Sequence, residues 1–359
     1  MKVGIVGMPN AGKSSLFTAL TGVAAEAANY PFTTIEPNVA IVPVHDQRLN
    51  AVAATVRASK VVPDTIAFHD IAGLVAGAHR GEGLGNQFLA NIRETDAIVH
   101  VVRAHHDDSV VHPEGRVDPL GDIDTIETEL IYADLEQAER RRERMVRTAR
   151  GGDRHAIAEL GWLDAVIEAL QAGHPARTVP PPIEASDAMT LLSPLTAKPV
   201  LFVANVEEGS DEVPAAIAEH AAAMGAQAVA VSARLEAELG ELPDDEAAAM
   251  REDLGLSESG LARVVRSAFA LLDLVAFFTA GEDKPAQSWH LRHGLSVWHA
   301  AGLIHSDIQR GFVRAEVVGW EALVQGGGYA RARERGELRL EGRDYAVADG
   351  DVITVKFSP

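Results

Sequence analysis

The chain has 359 residues and a formal net charge of −20, from 32 basic and 52 acidic side chains. This length allows two or three domains, and 47% apolar with 23% charged residues excludes wholesale disorder. The absence of cysteine excludes disulfides, thiolate metal sites and cysteine nucleophiles. No apolar run is long enough for a membrane helix, and glycine and proline come too early for a secretory signal. We therefore expect a cytoplasmic protein with no membrane partner.

The negative charge is concentrated in the first three quarters of the chain. Residues 276–359 hold ten basic and eleven acidic side chains, whereas the first 275 residues hold 22 and 41. The stretch 134–154 is the exception, with seven arginines against five acidic residues. Two interpretations stay open for this stretch: a solvated helix face with (i, i+4) ion pairs, or a local contact with RNA. The net charge argues only against indiscriminate nucleic-acid binding.

Short apolar runs separated by helix-like segments predict an α/β fold. The runs lie at Lys2–Val6, 66–68, 97–102, 200–203 and 228–231. A helical spacing of Leu16, Phe17 and Leu20 follows the first run, and helix-like stretches cover 87–93 and 213–224. This alternation predicts a doubly wound, mostly parallel sheet.

A helical hairpin is predicted to interrupt the α/β pattern. Apolar residues recur at helical spacing from about 124 to 150, and again from 157 to 170, around a Gly151-Gly152-Asp153 turn. Two antiparallel helices on a tight turn form an αα-hairpin, and the longer one would reach about 40 Å. We expect a coiled-coil arm at 124–189 that projects and adds nothing to the core.

The C-terminal part has a different texture, with short apolar runs between glycine turns. Strands are predicted at 315–318, 338–340, 345–347 and 352–357. This pattern favours a small α+β domain over 276–359.

Residues 7–14 match the phosphate-binding pattern GxxxxGK[ST], between a predicted strand and a predicted helix. The glycines allow a sharp turn whose N–H groups point at phosphate oxygens, and the helix N-terminus adds partial positive charge. Lys13 places a cation on the β- and γ-phosphates, and the Ser14 hydroxyl is a Mg²⁺ ligand. The residues predicted to bind phosphate are Asn10, Ala11, Gly12, Lys13, Ser14 and Ser15.

Four further motifs, three of them at predicted strand ends, complete a nucleotide site. Asp70 begins a DxxG sequence that ends at Gly73. The Asp70 carboxylate is expected to hold Mg²⁺ through water, and the Gly73 N–H is expected to lie near the γ-phosphate. Thr33 and Thr34 lie at a suitable distance from the phosphate-binding motif to form a switch segment, in which a threonine coordinates the metal. The predicted metal ligands are Ser14, Thr34 and Asp70. The remaining predicted nucleotide contacts are Gly73, Asn205, Val206, Glu208, Ser232 and Ala233.

Longer segments around these motifs resemble a known family. DIAGLVAGAHRGEGLGNQFLANIRETDAIVHVVR and NYPFTTIEPN are similar to the Obg-related P-loop NTPases of the translation-factor class. GRVDPLGDIDTIETEL, the fourth motif and DIQRGFVRAEVV resemble the YchF/Obg-like ATPases within it. The resemblance spans the whole chain. It implies an OBG-type G domain at 1–123 and 190–275, an inserted helical arm at 124–189, a ubiquitin-like TGS domain at 276–359, and a ribosome-associated ATPase.

The fourth motif predicts a preference for adenine. GTPases carry NKxD there, and its carboxylate accepts from guanine N1–H and the 2-amino group; this chain has Val206 and Glu208 in place of the lysine and the aspartate. Adenine offers neither donor, so a displaced, longer carboxylate loses the selection for guanine. We expect Asn205 and the backbone near Val206 to read adenine. A GTP-specific Obg-type GTPase is the alternative.

The group that orients the attacking water is the open question in hydrolysis. Ras-like GTPases place a glutamine after the DxxG glycine, where this chain has Leu74, so intrinsic turnover should be slow. The resemblance implies His112 as a catalytic residue, since its loop matches one where the family carries a proposed catalytic histidine; a plain surface histidine is the alternative. Lys13 and Asn10 are the other catalytic candidates, and Asn10 would help to hold K⁺ beside the phosphates. His105-His106-Asp107-Asp108 is interpreted as a solvated loop, because adjacent residues seldom converge on one metal ion.

The expected partners are ATP with Mg²⁺, and the ribosome through the arm and the C-terminal domain. The chain is expected to act as a monomer. An ATP-sensing ribosome adaptor with incidental hydrolysis is the alternative to a true ATPase, and Leu74 favours it. Some relatives carry cysteine where this chain has Thr33, so thiol-based control is excluded here.

Overall fold

The computed structural model describes residues 1–26, 38–71, 84–106, 117–256 and 258–358. The strands in these residues are β1 Lys2–Val6, β2 Val39–Pro43, β3 Lys60–Val62, β4 Thr65–Asp70, β5 Ala97–Arg103, β6 Val200–Asn205, β7 Gln227–Val231, β8 Leu274–Thr279, β9 Pro285–Arg292, β10 Phe312–Gly319, β11 Arg339–Glu341 and β12 Asp351–Phe357. The α-helices are α1 Lys13–Glu26, α2 Gln47–Val56, α3 Leu84–Arg93, α4 Pro119–Ala149, α5 Arg154–Gln171, α6 Ala188–Leu192, α7 Ala215–Ala223, α8 Ala233–Leu239, α9 Asp244–Asp253, α10 Gly260–Ala270, α11 Val297–Ile304, α12 Ser306–Arg310, α13 Trp320–Gly326 and α14 Tyr329–Glu334.

The described residues divide into two compact units. The first takes its residues from 1–26, 38–40 and 67–271, and the second from 41–66 and 272–358. Across the described part of the chain, each helix is too short or too polar to span a bilayer.

The predicted parallel sheet is confirmed. Its strand order is β2-β4-β1-β5-β6-β7, and the pairs β4–β1, β1–β5, β5–β6 and β6–β7 are parallel. Strand β5 is buried along its whole length, as a central parallel strand should be. The carboxyl ends of β1, β4, β5, β6 and β7 therefore meet at one edge, where loops can build a site.

The helical hairpin is also confirmed, but half of its first helix belongs to the core. Helix α4 begins at Pro119, after Asp118 accepts a hydrogen bond from the Gly121 N–H, and α5 begins after Asp153 caps the Ala156 N–H. Ile126 and Leu130 are buried against Val6, Ile98 and α3 residues. The expectation of an arm that adds nothing to the core is therefore wrong for this part of α4, because its apolar stripe covers the sheet.

The second unit is built on a mixed sheet of order β11-β10-β12-β8-β9-β3. Strand β3 pairs in parallel with β9, and α2 buries Leu49 and Val52 in the same cluster as Phe278 and Val352. Residues from the first fifth of the chain thus complete the core of the C-terminal unit.

Three of the four strands predicted in the C-terminal part are confirmed as β10, β11 and β12. The strand predicted at 345–347 is wrong, since only Ala346 forms an isolated bridge, with Ser296. The Tyr345 hydroxyl donates to Asp351 Oδ2 at 2.9 Å, and the segment packs as a loop beside β12. Apolar alternation over three residues did not distinguish this anchored loop from a strand.

Candidate functional site

The loops at the carboxyl edge of the parallel sheet enclose a cleft of about 860 Å³. This volume lies within the range of small-molecule and cofactor sites. The predicted residues that line it are Asn10, Gly12, Lys13, Ser14, Ser15, Asn205, Val206, Glu208 and Ser232. Ala11 and Ala233 lie behind this lining, almost fully buried. Segments far apart in the sequence thus meet where the motifs predicted a site.

The loop after β1 has the backbone conformation that a phosphate cradle requires. Gly12 has φ +100°, and a Cβ there would clash with the Asn205 side chain amide; a Cβ on Gly7, at φ +154°, would clash with the Val101 carbonyl. Asn10 is exposed at the cleft with φ 63°, a left-handed conformation that asparagine tolerates better than most residues. Both glycines are therefore required by close packing as well as by conformation.

The Lys13 side chain lies inside the cleft in an ordered position. Its side chain is buried, and Nζ donates to the Met8 carbonyl at 2.8 Å, across the loop that it serves. Burial lowers the pKa of Lys13 to about 8, and the nearby negative charge of Asp70 opposes that shift. An incoming polyphosphate would supply the counter-charge that stabilises the ammonium group in this position.

Asn205 connects the phosphate loop to the start of α8. Its Nδ2 donates to the Ala11 carbonyl at 3.1 Å, and its Oδ1 accepts from the Ala233 N–H at 3.0 Å. The same Nδ2 lies 3.3 Å from His105 Nε2, which can accept its second hydrogen. Asn205 is 5% exposed, so these bonds form in a nearly dry environment and fix the two loops relative to each other.

Helix α8 starts directly behind the cleft. The Ser232 hydroxyl caps it by accepting from the Leu235 N–H at 3.4 Å, and Ser232 itself lines the cleft. The two residues of the Ser232-Ala233 motif therefore have different roles: Ser232 caps the N-terminus of α8, and the Ala233 N–H donates to Asn205.

The fourth-motif side chains differ sharply in exposure. Val206 is 5% exposed, packs into a cluster with Val102 and Ile217, and donates its N–H to the Val231 carbonyl at 3.0 Å. Glu208 is half-exposed, and its Oε1 lies 3.5 Å from Arg234 Nε. No lysine side chain covers the cleft from position 206, and the carboxylate at 208 faces a cation.

Ser14 and Asp70 supply hydroxyl and carboxylate oxygens, which are donors that Mg²⁺ prefers. Ser14 is exposed at the cleft. Burial raises the pKa of Asp70, and the positive charge of Lys13 opposes this shift. A divalent cation beside Asp70 would favour its ionised form, so these residues fit the metal that the motifs imply.

Several predicted residues lie outside the described residues, namely Thr33, Thr34, Gly73, Leu74 and His112. Asp107 and Asp108 of the His-His-Asp-Asp sequence also lie outside them. Within the described ranges, no cluster of three or more potential metal ligands is present.

His105, His106, Glu207 and Arg234 line the cleft but were not predicted as contacts. His105 and His106 follow the end of β5. Because the carboxyl ends of parallel strands meet at one edge of the sheet, their position after a predicted strand could have indicated that they lie at the cleft. Arg234 follows Ser232-Ala233 directly, and its approach to Glu208 depends on the fold of two separate loops.

Comparisons with known proteins agree with this geometry. Residues 2–133 match the family model described as a 50S ribosome-binding GTPase, and residues 274–358 match the YchF-GTPase C-terminal model, described as a protein of unknown function (DUF933). The chain is 48% identical to the ribosome-binding ATPase YchF of Haemophilus influenzae, over 99% of each chain. It is 46% identical to the ribosome-binding ATPase YchF of Bacillus subtilis, over 100% of this chain and 99% of the relative.

A solved structure gives the same result. The YchF GTPase of Schizosaccharomyces pombe superposes with a TM-score of 0.88 at 33% identity, covering 99% of this chain and 97% of that one. Full-length identity, both terminal domain models and the fold therefore agree: the chain belongs to the YchF family of P-loop NTPases.

Proposed function

We propose that this protein is a Mg²⁺-dependent P-loop NTPase that binds ATP in preference to GTP and hydrolyses it slowly as a nucleotide-dependent switch on ribosomes. The relatives named ribosome-binding ATPases support this assignment. The observation that carries it is the geometry of the cleft. Lys13 lies within the phosphate loop, and Asn205 connects this loop to the start of α8. Asn205 begins a fourth motif whose sequence differs from that of GTPases. Nucleotide binding is assigned to 1–123 and 190–275, and docking to 124–189 and 276–359.

The preference for ATP follows from what the cleft lacks for guanine. Reading guanine requires an unengaged carboxylate opposite N1–H and the 2-amino group, whereas Glu208 is paired with Arg234. Arg234 Nε also donates to Glu238 Oε1 at 3.0 Å, and exposed pairs are weak, so the loss of selection for guanine rests more on the longer carboxylate at 208 than on this pair. Val206 packs inward and leaves the base plane without a lysine stem. The S. pombe relative is titled a GTPase, and a GTP-specific enzyme is therefore the competing assignment.

The metal site is assigned to Ser14, Thr34 and Asp70, with Mg²⁺ supplying charge compensation on the phosphates when bound. Asn10 is proposed to help hold a K⁺ ion beside the phosphates, because this residue of the phosphate loop is exposed at the cleft. A hydrolysis rate that stays unchanged when Na⁺ replaces K⁺ would contradict this role.

The Leu74 side chain can neither donate nor accept a hydrogen bond, so another group has to orient the water. Water activation is assigned to His112, as the resemblance to the family implies. A neutral imidazole can orient water near pH 7. The variant His112→Ala should lower turnover while ATP affinity is retained, and turnover equal to that of the wild type would exclude His112.

Ribosome docking is assigned to the hairpin tip and the C-terminal unit. Arg141 and Arg142 are engaged across the hairpin with Glu159 and Asp164, so they are poorly placed to contact RNA phosphates. Arg144, Arg147 and Arg150 are exposed near the turn and remain as candidates. A ribosome-bound monomer in the cytoplasm is the state that we propose.

Phosphate release from ATP and from GTP, measured with and without ribosomes, tests the function. We expect slow release from ATP, less from GTP, and faster ATP hydrolysis with ribosomes. Lys13→Ala, which removes the phosphate-binding ammonium group, is the control that reports background hydrolysis. An ATP rate equal to that of Lys13→Ala under both conditions would favour the ATP-sensing adaptor, in which hydrolysis is incidental.

A further inference from the structure

A second cavity lies in the first unit, between the parallel sheet and the root of the helical hairpin. Its volume is about 120 Å³. The apolar part of its wall includes Val6 and Ile98 from the sheet, Ile126 and Leu130 from α4, and Met224 after α7. None of these residues lines the nucleotide cleft. Because Val6 directly precedes the phosphate loop and Ile126 lies in α4, the cavity touches both the nucleotide-binding and the hairpin elements.

His100 lines this cavity and has an unsatisfied nitrogen. It lies on β5 opposite Val6, is 2% exposed, and its Nε2 has no hydrogen-bond partner among the described residues. Burial, with the charges of His220 and Lys13, lowers the pKa of His100 to about 3, so the ring is neutral at pH 7. Buried side-chain nitrogens are nearly always hydrogen-bonded, and an exception calls for an occupant or a function.

The opposite wall carries groups that already satisfy one another. Glu127 Oε1 lies 3.1 Å from His220 Nε2, and Arg177 Nη1 donates to the Thr196 carbonyl at 2.7 Å. The Phe202 ring lies between the two imidazoles, with centroids 5.5 Å from each. Burial lowers the pKa of Arg177 and the negative charge of nearby Glu127 opposes this shift, so the two charges offset each other on this wall. A charged ligand would therefore gain little net counter-charge here, whereas a neutral one would avoid the cost of desolvation.

We propose that this cavity is a binding site for a small neutral aromatic alcohol of the size of phenol, whose ring packs on the apolar wall and whose hydroxyl bonds to His100 Nε2. An engineered apolar cavity of about 150 Å³ holds benzene, so a volume of this order accepts a single ring. The hydroxyl can donate or accept, so it suits either neutral tautomer of His100. This site needs neither ATP nor the ribosome, and its test is independent of the proposed function.

The probe is 4-fluorophenol, titrated into the full-length protein and followed by ¹⁹F NMR, with 4-fluorotoluene as the ligand that lacks the hydroxyl. We expect one saturable site with a millimolar dissociation constant for the phenol, and binding at least fivefold weaker for the toluene. His100→Phe should abolish this preference, and Met224→Phe, which fills the cavity from the other wall, should abolish both interactions. His293→Phe, a matched change at an exposed position outside the cavity lining, should bind as the wild type does.

A crystal soaked with the phenol provides the second measurement. The hydroxyl should lie within hydrogen-bond distance of His100 Nε2. Absence of saturable binding up to 10 mM, wild-type affinity in Met224→Phe, or density for water alone beside His100 would each overturn the proposal.

Discussion

At the scale of single residues, Asn205 makes the connection on which the nucleotide site depends. Its amide satisfies the Ala11 carbonyl on one side and the Ala233 N–H on the other, so the phosphate loop and the start of α8 share one side chain. Hydrogen bonds in a buried polar group that serves two loops restrain both loops together.

Replacing this side chain should therefore affect binding and folding together. Asn205→Ala leaves two buried backbone groups without partners, which should lower the free energy of unfolding by about 1–3 kcal/mol. ATP affinity should fall by about tenfold or more, since a tenfold change needs only about 1.4 kcal/mol. Titration calorimetry and urea unfolding measure the two effects. Asn91→Ala, at an exposed position on α3, is the matched control, and wild-type ATP affinity in Asn205→Ala would refute the bridge.

His100 should make stability depend on acid. Its folded pKa of about 3 lies below its ordinary value of 6.5, so the unfolded chain takes up the proton first as the pH falls. The free energy of unfolding therefore falls progressively below pH 6.5, and the loss due to His100 reaches roughly 3 kcal/mol at pH 4.5. Urea unfolding at pH 7 and pH 4.5 measures this loss. Between the two pH values, the free energy of unfolding should fall less in His100→Phe than in the wild type, by about the same amount. Equal losses would mean that His100 is not the group responsible.

At the scale of elements, the hairpin uses part of its basic charge in ion pairs between its two helices. Arg141 on α4 pairs with Glu159 on α5, whose side chain is 1% exposed, whereas Arg142 and Asp164 form a pair at the surface. The expected (i, i+4) pairing is present between Glu136 and Arg140, whereas an RNA contact through the exposed arginines near the turn stays a prediction.

These two pairs should respond very differently to truncation. Arg141→Ala leaves the Glu159 carboxylate buried, with His155 Nδ1 at 3.9 Å as its remaining ion-pair partner among the described residues, and should cost about 3 kcal/mol of stability. Arg142→Ala removes a solvent-screened pair and should leave stability unchanged within error. Urea denaturation of both variants compares them directly, and equal effects would mean that burial of Glu159 is unimportant.

Local patterns predicted the elements of the nucleotide-binding unit well. Each parallel strand is a short apolar run, and the GxxxxGK[ST] pattern ends β1 and begins α1 as expected. The packing of α2 and β3 with β9 could not be predicted, because no periodicity in 47–62 identifies a partner more than 200 residues away. The contact between Arg234 and Glu208 depends in the same way on two loops that only the fold brings together.

At the scale of the whole molecule, the charge of −20 is compatible with the proposed ribosome binding only if the contacts are local. The exposed arginines near the hairpin turn provide one such location. Reversing Arg144, Arg147 and Arg150 to glutamate should reduce the fraction that sediments with ribosomes, because phosphate contacts depend on positive charge. Arg57→Glu with Lys60→Glu and Arg266→Glu, three exposed cations outside 124–189 and 276–359, makes the same net charge change and is the control. An unchanged sedimenting fraction in the tip variant would exclude the hairpin as an RNA contact.

The central claim is that this nucleotide site selects ATP. Calorimetric titration of the wild-type protein with ATP and with GTP, each with Mg²⁺, tests it most directly. The buried Val206 and the longer carboxylate of Glu208 predict that ATP binds at least about tenfold more tightly than GTP, a difference of about 1.4 kcal/mol. Equal affinities, or tighter binding of GTP, would contradict the assignment and indicate a GTPase.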